Sequence, residues 1–167
     1  MNIVQVSDKI LDVINAFMEY FMGILFLTLV AITFQEVLRR YLFNDPTHWA
    51  SEACRFLLIW MTFTGACIVT RLVTHLTMGF TIHRFVNHST RKVIKIFISA
   101  TAAVAMIILT YFSGKVTLLA GYRPAPMTGI QMYWVWSALP INGAIMSIYM
   151  IAATVKHIFK KKEEVTP

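Results

Sequence analysis

Charge is what this sequence has least of. Only 14% of its 167 residues are Asp, Glu, Lys or Arg, against roughly 25% in an ordinary soluble domain. Apolar residues make up 57%. A chain of one-domain length could not hide that much apolar surface from water, but a bilayer can receive it. Acidic residues are scarcest, eight against fifteen basic ones, which leaves a net charge of +7. A nucleic-acid binder would spread that excess as a basic stripe interleaved with aromatics. Here the Lys and Arg gather at the ends of apolar runs, the pattern of membrane orientation, and no nucleic-acid partner is expected.

Cysteine is almost missing. Cys54 and Cys67 stand thirteen positions apart in one apolar run, with no CxxC, which excludes a disulfide framework or a metal knuckle. Both read as small buried side chains. The histidines, His48, His75, His83, His88 and His157, fall in loops or at span ends, so none offers an axial haem ligand inside a bundle. No Asp, Glu, Lys or Arg falls in the middle of a span, no span has a Gly-Pro break at its centre, and there is no inverted repeat. A self-sufficient ion-coupled transporter would carry such features. No nucleophile–base constellation stands out. The expectation is a protein that is no enzyme, holds no metal or cofactor, and supplies no substrate ligand of its own.

What is present is four long apolar runs, at residues 13–38, 53–73, 93–113 and 133–155. Each approaches the 20 or so residues that a spanning helix needs. None alternates as a barrel strand would, and helices satisfy their own backbone groups in hydrocarbon. The first run carries Glu19 near one end, follows Asp8, Lys9 and Asp12, and ends in Phe34-Gln35-Glu36-Val37-Leu38-Arg39-Arg40. It has neither a basic leader region nor a small-residue cleavage site, and reads as a retained span. Asn44-Asp45-Pro46 separates the first two spans, with Asp45 placed to cap the second helix and Pro46 suited to its first position. Gly121-Tyr122-Arg123-Pro124-Ala125-Pro126 separates the last two, and two prolines so close forbid helix there. The fold class is therefore all-α membrane protein, one four-helix domain over residues 1–167 with a basic tail at 156–167.

An even number of spans puts both termini on one side. Ten of the fifteen Lys and Arg lie on that side, Arg71 to Lys95 and the tail prominent among them. Arg39, Arg40, Arg55, Lys115 and Arg123 lie on the other. The balance predicts cytoplasmic termini, against the opposition of Arg39 and Arg40. Tyr41, Trp49, Tyr122, Tyr133, Trp134 and Trp136 would then form an aromatic belt at the outer face, among membrane phospholipids. Trp60 falls mid-span and asks for another explanation, such as packing against a partner. The segment 74–88 is too short and polar to cross, and reads either as a short helix on the membrane surface or as an irregular loop.

Near the outer ends of the first two spans stand Glu36, Arg39, Arg40, Glu52 and Arg55. Glu36 and Arg40 are spaced i,i+4, and Glu52 and Arg55 i,i+3, so each pair shares a helix face. They suggest an interfacial salt-bridge network between the two helices, a contact site for another subunit, or both. Small residues recur four apart at Ser99/Ala103, Thr62/Ala66 and Gly143/Ser147, a spacing that lets helices approach closely in lipid. Pro140 either kinks the fourth span or sits near its start after an interfacial lead-in.

Arg40-Tyr41-Leu42-Phe43-Asn44 is followed by Trp49-x-x-Glu52-x-x-Arg55, then by Trp60, Phe63-Thr64-Gly65-Ala66, Arg71 and His75. This order resembles the small membrane subunit of tripartite ATP-independent periplasmic (TRAP) transporters, the DctQ-like family. It is clearest over residues 37–76 and extends to Pro140-Ile141-Asn142-Gly143. One departure is Gly79, where the family often has an acidic residue. The resemblance implies a scaffold subunit in the bacterial inner membrane, part of a sodium-coupled importer of organic acids of the C4-dicarboxylate or sialic acid class. Its partners would be a large multi-span transport subunit and a periplasmic substrate-binding protein. It gives structural or subunit-interface roles to Arg40, Trp49, Glu52, Arg55, Trp60, Arg71 and His75. It turns the outer loops 44–49 and 120–129, with Asp45, His48, Tyr122 and Arg123, toward the periplasmic protein. Other classes compatible with the residues alone are a self-associating tetraspan, such as a small exporter, and a membrane redox subunit.

Overall fold

The computed structural model describes residues 3–45, 47–76 and 88–163. Among these residues there is no β-strand. The helices are α1 (Ile3–Leu38), α2 (His48–Leu76), α3 (His88–Ala120), the short α4 (Met132–Trp136) and α5 (Ala138–Glu163). Four stretches are long and apolar enough to cross a membrane: Asp8–Phe43, His48–Val73, Phe97–Leu119 and Met132–Val155. The chain is thus a multi-pass, all-α membrane protein with four spans, as its hydropathy predicts. Of the segment 74–88, residues 74–76 continue α2 and His88 opens α3, while 77–87 lie outside the described residues. α5 carries helix into the basic tail as far as Glu163.

The first helix runs past Leu38 into a π-helical turn, Arg39–Phe43, and stops at Asn44. Asn44 adopts a left-handed conformation, φ 56°, with its N–H on the Arg39 carbonyl. Asparagine tolerates this conformation better than most residues, which makes it a natural helix terminator. No capping hydrogen bond from Asp45 is found among the described residues. Its carboxylate lies 3.8 Å from the Arg39 guanidinium instead, and Pro46 lies outside the described residues. The start of α2 is served from the neighbouring helix, where Glu36 Oε2 accepts the Thr47 N–H at 3.0 Å. A carboxylate there also faces the positive end of the α2 dipole.

The four long helices form a row, not a closed ring. α1 packs on α2, α2 on α5, and α5 on α3, while α1 and α3 do not touch among the described residues. In lipid no hydrophobic force drives this packing, so close fit and polar contacts must hold it. The α3–α5 pair shows both. Ser99 Oγ meets Thr154 Oγ1 at 2.7 Å, Thr110 stands against Gly143, and Thr117 Oγ1 donates to the Trp136 carbonyl at 3.1 Å. These three contacts fall in one antiparallel register. A Cβ on Gly143 would lie 2.7 Å from Thr110 Oγ1, so this crossing requires glycine. The spacing Gly143/Ser147 does lie in a helix–helix contact, with both residues buried. Thr62 does not; it is exposed, and its hydroxyl folds back onto the Leu58 carbonyl.

Pro140 sits in the first turn of α5, where its missing N–H costs no helix bond. The residues before it form the separate turn α4, broken from α5 at Ser137, so Pro140 stands near the start of a helix and not in the interior of one. Between α3 and α4 the chain makes a narrow turn. Ala125 N–H donates to Ile130 O at 2.8 Å, Met132 N–H to Arg123 O at 3.0 Å, and Tyr133 N–H to Gly121 O at 2.8 Å. Gly121 is required at its neck, since a Cβ there would lie 2.9 Å from the Tyr133 Cα.

Candidate functional site

Two polar ties bracket the α1–α2 hairpin. At one end Arg71 of α2, near the end of an apolar span, is 5% exposed although it is charged. Its Nη2 donates to Asp12 Oδ1 at 2.7 Å. It also lies 3.7 Å from Asp8 Oδ1 and 3.4 Å from the Asp8 carbonyl. Asp8 and Asp12 are spaced i,i+4, so α1 offers both from one face. On its other side the guanidinium lies 5.8 Å from the ring centre of Tyr149 on α5, within cation–π range. Arg71 therefore joins three helices, above a core of Leu11, Cys67, Met146 and Tyr149.

At the opposite end both glutamates bind backbone. Glu36 takes the Thr47 N–H, and Glu52 Oε2 accepts the N–H of Met127 at 3.1 Å and of Thr128 at 2.7 Å. Glu52 thereby pins the 121–131 turn to α2. The salt bridges suggested by the Glu36/Arg40 and Glu52/Arg55 spacings are absent among the described residues; Arg39–Asp45 is the ion pair at this end. In both glutamates it is Oε2 that holds the backbone N–H groups.

The other sequence candidates fall as follows. Arg40 and Arg55 are exposed and have no ion pair among the described residues. Trp49, His48, Tyr122 and Arg123 are exposed at the same end, on α2 and on the turn. Tyr41, Leu42 and Phe43 project from the π-helical turn beside them. Lys115 lies 4.7 Å from the ring centre of Tyr111. His75 is in the last turn of α2, and its side chain lies outside the described residues. Trp60 needs no partner chain to explain it. Its Nε1–H donates to the Trp134 carbonyl at 3.2 Å, and its ring meets Phe21 edge-on at 5.9 Å. It links α2 to α4 and α1.

Sequence reading missed Asp8, Asp12 and Tyr149 as partners of Arg71, and the Met127–Thr128 amides as partners of Glu52. The i,i+4 acidic pair ahead of an apolar run was a usable signal for the first; backbone donors carry no sequence signal. No group of three or more His, Cys, Asp or Glu is placed to hold a metal ion among the described residues. The described residues form a row of helices with polar ties at both ends and broad apolar flanks.

Residues 29–160, about four-fifths of the chain, match the family model for tripartite ATP-independent periplasmic transporters, DctQ component. The chain is 24% identical over 140 residues to the sialic acid TRAP transporter permease protein SiaT of Haemophilus influenzae (strain 86-028NP), covering 84% of this chain and 23% of that protein. It is 40% identical over 62 residues to the C4-dicarboxylate TRAP transporter small permease protein DctQ of Vibrio cholerae, covering 37% of this chain and 24% of that protein. With the sialic acid TRAP transporter small permease protein SiaQ of Vibrio cholerae it shares 25% identity over 142 residues, 80% of this chain and 77% of that one. The matches to the first two relatives span about a quarter of those proteins' lengths.

Proposed function

The chain belongs to the DctQ component family of tripartite ATP-independent periplasmic transporters, and on that premise we propose that it is the small, stationary membrane subunit of a sodium-coupled organic-acid importer. Membership makes it a transport component and not an enzyme. The observation that carries the proposal is the family match running from within α1 to near the end of α5, which takes in the whole row of helices. A large multi-span subunit would bind substrate and sodium and would move. This chain would hold it steady in the bilayer. Arg71, Glu36 and Glu52 support that role by tying the helices to one another and to the outer turn. A mover needs a partner that does not deform.

The relatives' names point to carboxylate substrates, sialic acid or C4-dicarboxylates. The excess of Lys and Arg on the side of the termini supports cytoplasmic termini in a bacterial inner membrane. The opposite end, with Trp49, Tyr122 and Arg123 exposed, would then face the periplasm and a substrate-binding protein. The test is a pull-down of the chain, tagged at its C-terminus, from gently solubilised native membranes. Recovery of one larger polytopic protein in equal amount is expected. A homo-oligomer with no other chain would overturn the reading.

A further inference from the structure

The inference concerns Glu19 and rests on the scaffold reading. The two α1–α2 ties lie 24 residues apart on each helix, Asp12 to Glu36 and Arg71 to Thr47, or about 36 Å at 1.5 Å per residue. They bracket a hydrocarbon core of about 30 Å. Glu19 stands seven residues inward of Asp12, which puts it about 7 Å inside that core. It is exposed on α1, and its hydrogen bond is with its own helix, from Asn15 Nδ2 at 2.6 Å. No cation pairs with it among the described residues. A carboxylate at that depth facing lipid is expensive, and such groups almost always face protein or water.

The surrounding surface points the same way. Ala16, Glu19 and Gly23 lie within an arc of about 60° on α1. All three are exposed, while Leu11, Met18, Leu25 and Leu29 of the same helix face inward. A methyl added at Gly23 would meet nothing within 4 Å. No packing within this chain calls for glycine there, although glycine weakens a helix interior relative to alanine. Small residues flanking a polar one are what a close helix–helix contact in lipid uses. A second copy of the chain would set Glu19 against Glu19, and like charges oppose that pairing. We propose that the Ala16–Glu19–Gly23 face of α1 docks against a membrane helix of a different polypeptide, the large subunit, which presents a cationic side chain to Glu19. That helix would meet α1 in the half of the bilayer nearer the Arg71 cluster.

The test places a photo-crosslinking phenylalanine analogue at position 16, 23 or 24 of the full chain in native membranes. Ile24 is exposed at the same depth but lies about 100° around the helix from Gly23. Adducts to one larger polypeptide from 16 and 23, but not from 24, are expected. In parallel, Glu19→Lys should lower recovery of the co-purified partner at least about tenfold, with Glu19→Gln losing less. Labelling of lipid alone or of a second copy from 16 and 23, while the partner still co-purifies, would overturn the docking face and leave the scaffold reading intact. Full partner recovery with Glu19→Lys would do the same. Failure of the wild-type chain to co-purify any larger polypeptide would overturn both.

Discussion

Arg71 Nη2 and Asp12 Oδ1 meet at 2.7 Å across the α1–α2 interface, with Asp8 behind and the Tyr149 ring on the far side. Removing one member of a buried charge group leaves the remainder uncompensated. Arg71→Ala is expected to destabilise the chain by about 3 kcal/mol. Asp12→Asn should cost less, about 1 kcal/mol, because Asp8 remains and the Asp12 side chain is 61% exposed. Thermal unfolding in detergent, followed by circular dichroism, would rank the two. Equal stability of Arg71→Ala and wild type would show that the cluster does not hold the helices.

Tyr149 separates ring from hydroxyl. It is fully buried, and its hydroxyl has no hydrogen-bond partner among the described residues. Tyr149→Phe keeps the ring over Arg71 and removes only the unpaired group, so stability should change by less than about 1 kcal/mol. Tyr149→Ala opens a cavity and should cost about 3 kcal/mol or more. The same unfolding assay reads both, and a large loss in Tyr149→Phe would mean that the hydroxyl is bonded in the membrane.

The Glu52 clamp predicts a local effect. Glu52→Ala frees the Met127 and Thr128 N–H groups and should loosen the 121–131 turn. Protease cleavage in that turn should speed up several-fold while global unfolding shifts by only about 1 kcal/mol. Glu52→Gln, which keeps an acceptor oxygen, should lie between. Unchanged cleavage in Glu52→Ala would argue that Gly121 and the turn's own hydrogen bonds suffice.

Close approach of α3 and α5 depends on Gly143. Gly143→Leu would drive a side chain into Thr110 and part the helices, at a cost of about 3 kcal/mol. Gly23→Ala in the isolated chain should be neutral or slightly stabilising, by up to about 1 kcal/mol. Comparable loss in both variants would contradict the assignment of one glycine to an internal contact and of the other to an outer face.

Much of this was legible in the sequence, and what was not has a physical reason. The four spans follow from hydropathy, because helix is the economical backbone in lipid. Spacing showed that Glu52 and Arg55 share a face, but not that two amide protons some 75 positions away would claim the carboxylate first. It flagged Arg71 as a charge at a span end, yet its partners lie near the start of another helix. Trp60 looked like a site for an outside partner because its acceptor, the Trp134 carbonyl, has no identity in sequence. Local periodicity reports faces; tertiary pairing decides what those faces meet.

The most direct test of the central claim is uptake of a radiolabelled carboxylate into proteoliposomes under an inward sodium gradient. Vesicles would hold this chain alone, its co-purified large partner alone, or both, with the cognate periplasmic binding protein outside. The account predicts no uptake with this chain alone and sodium-dependent uptake with both together, lost or sharply reduced when this chain is left out. Sodium-dependent uptake by this chain alone would contradict it.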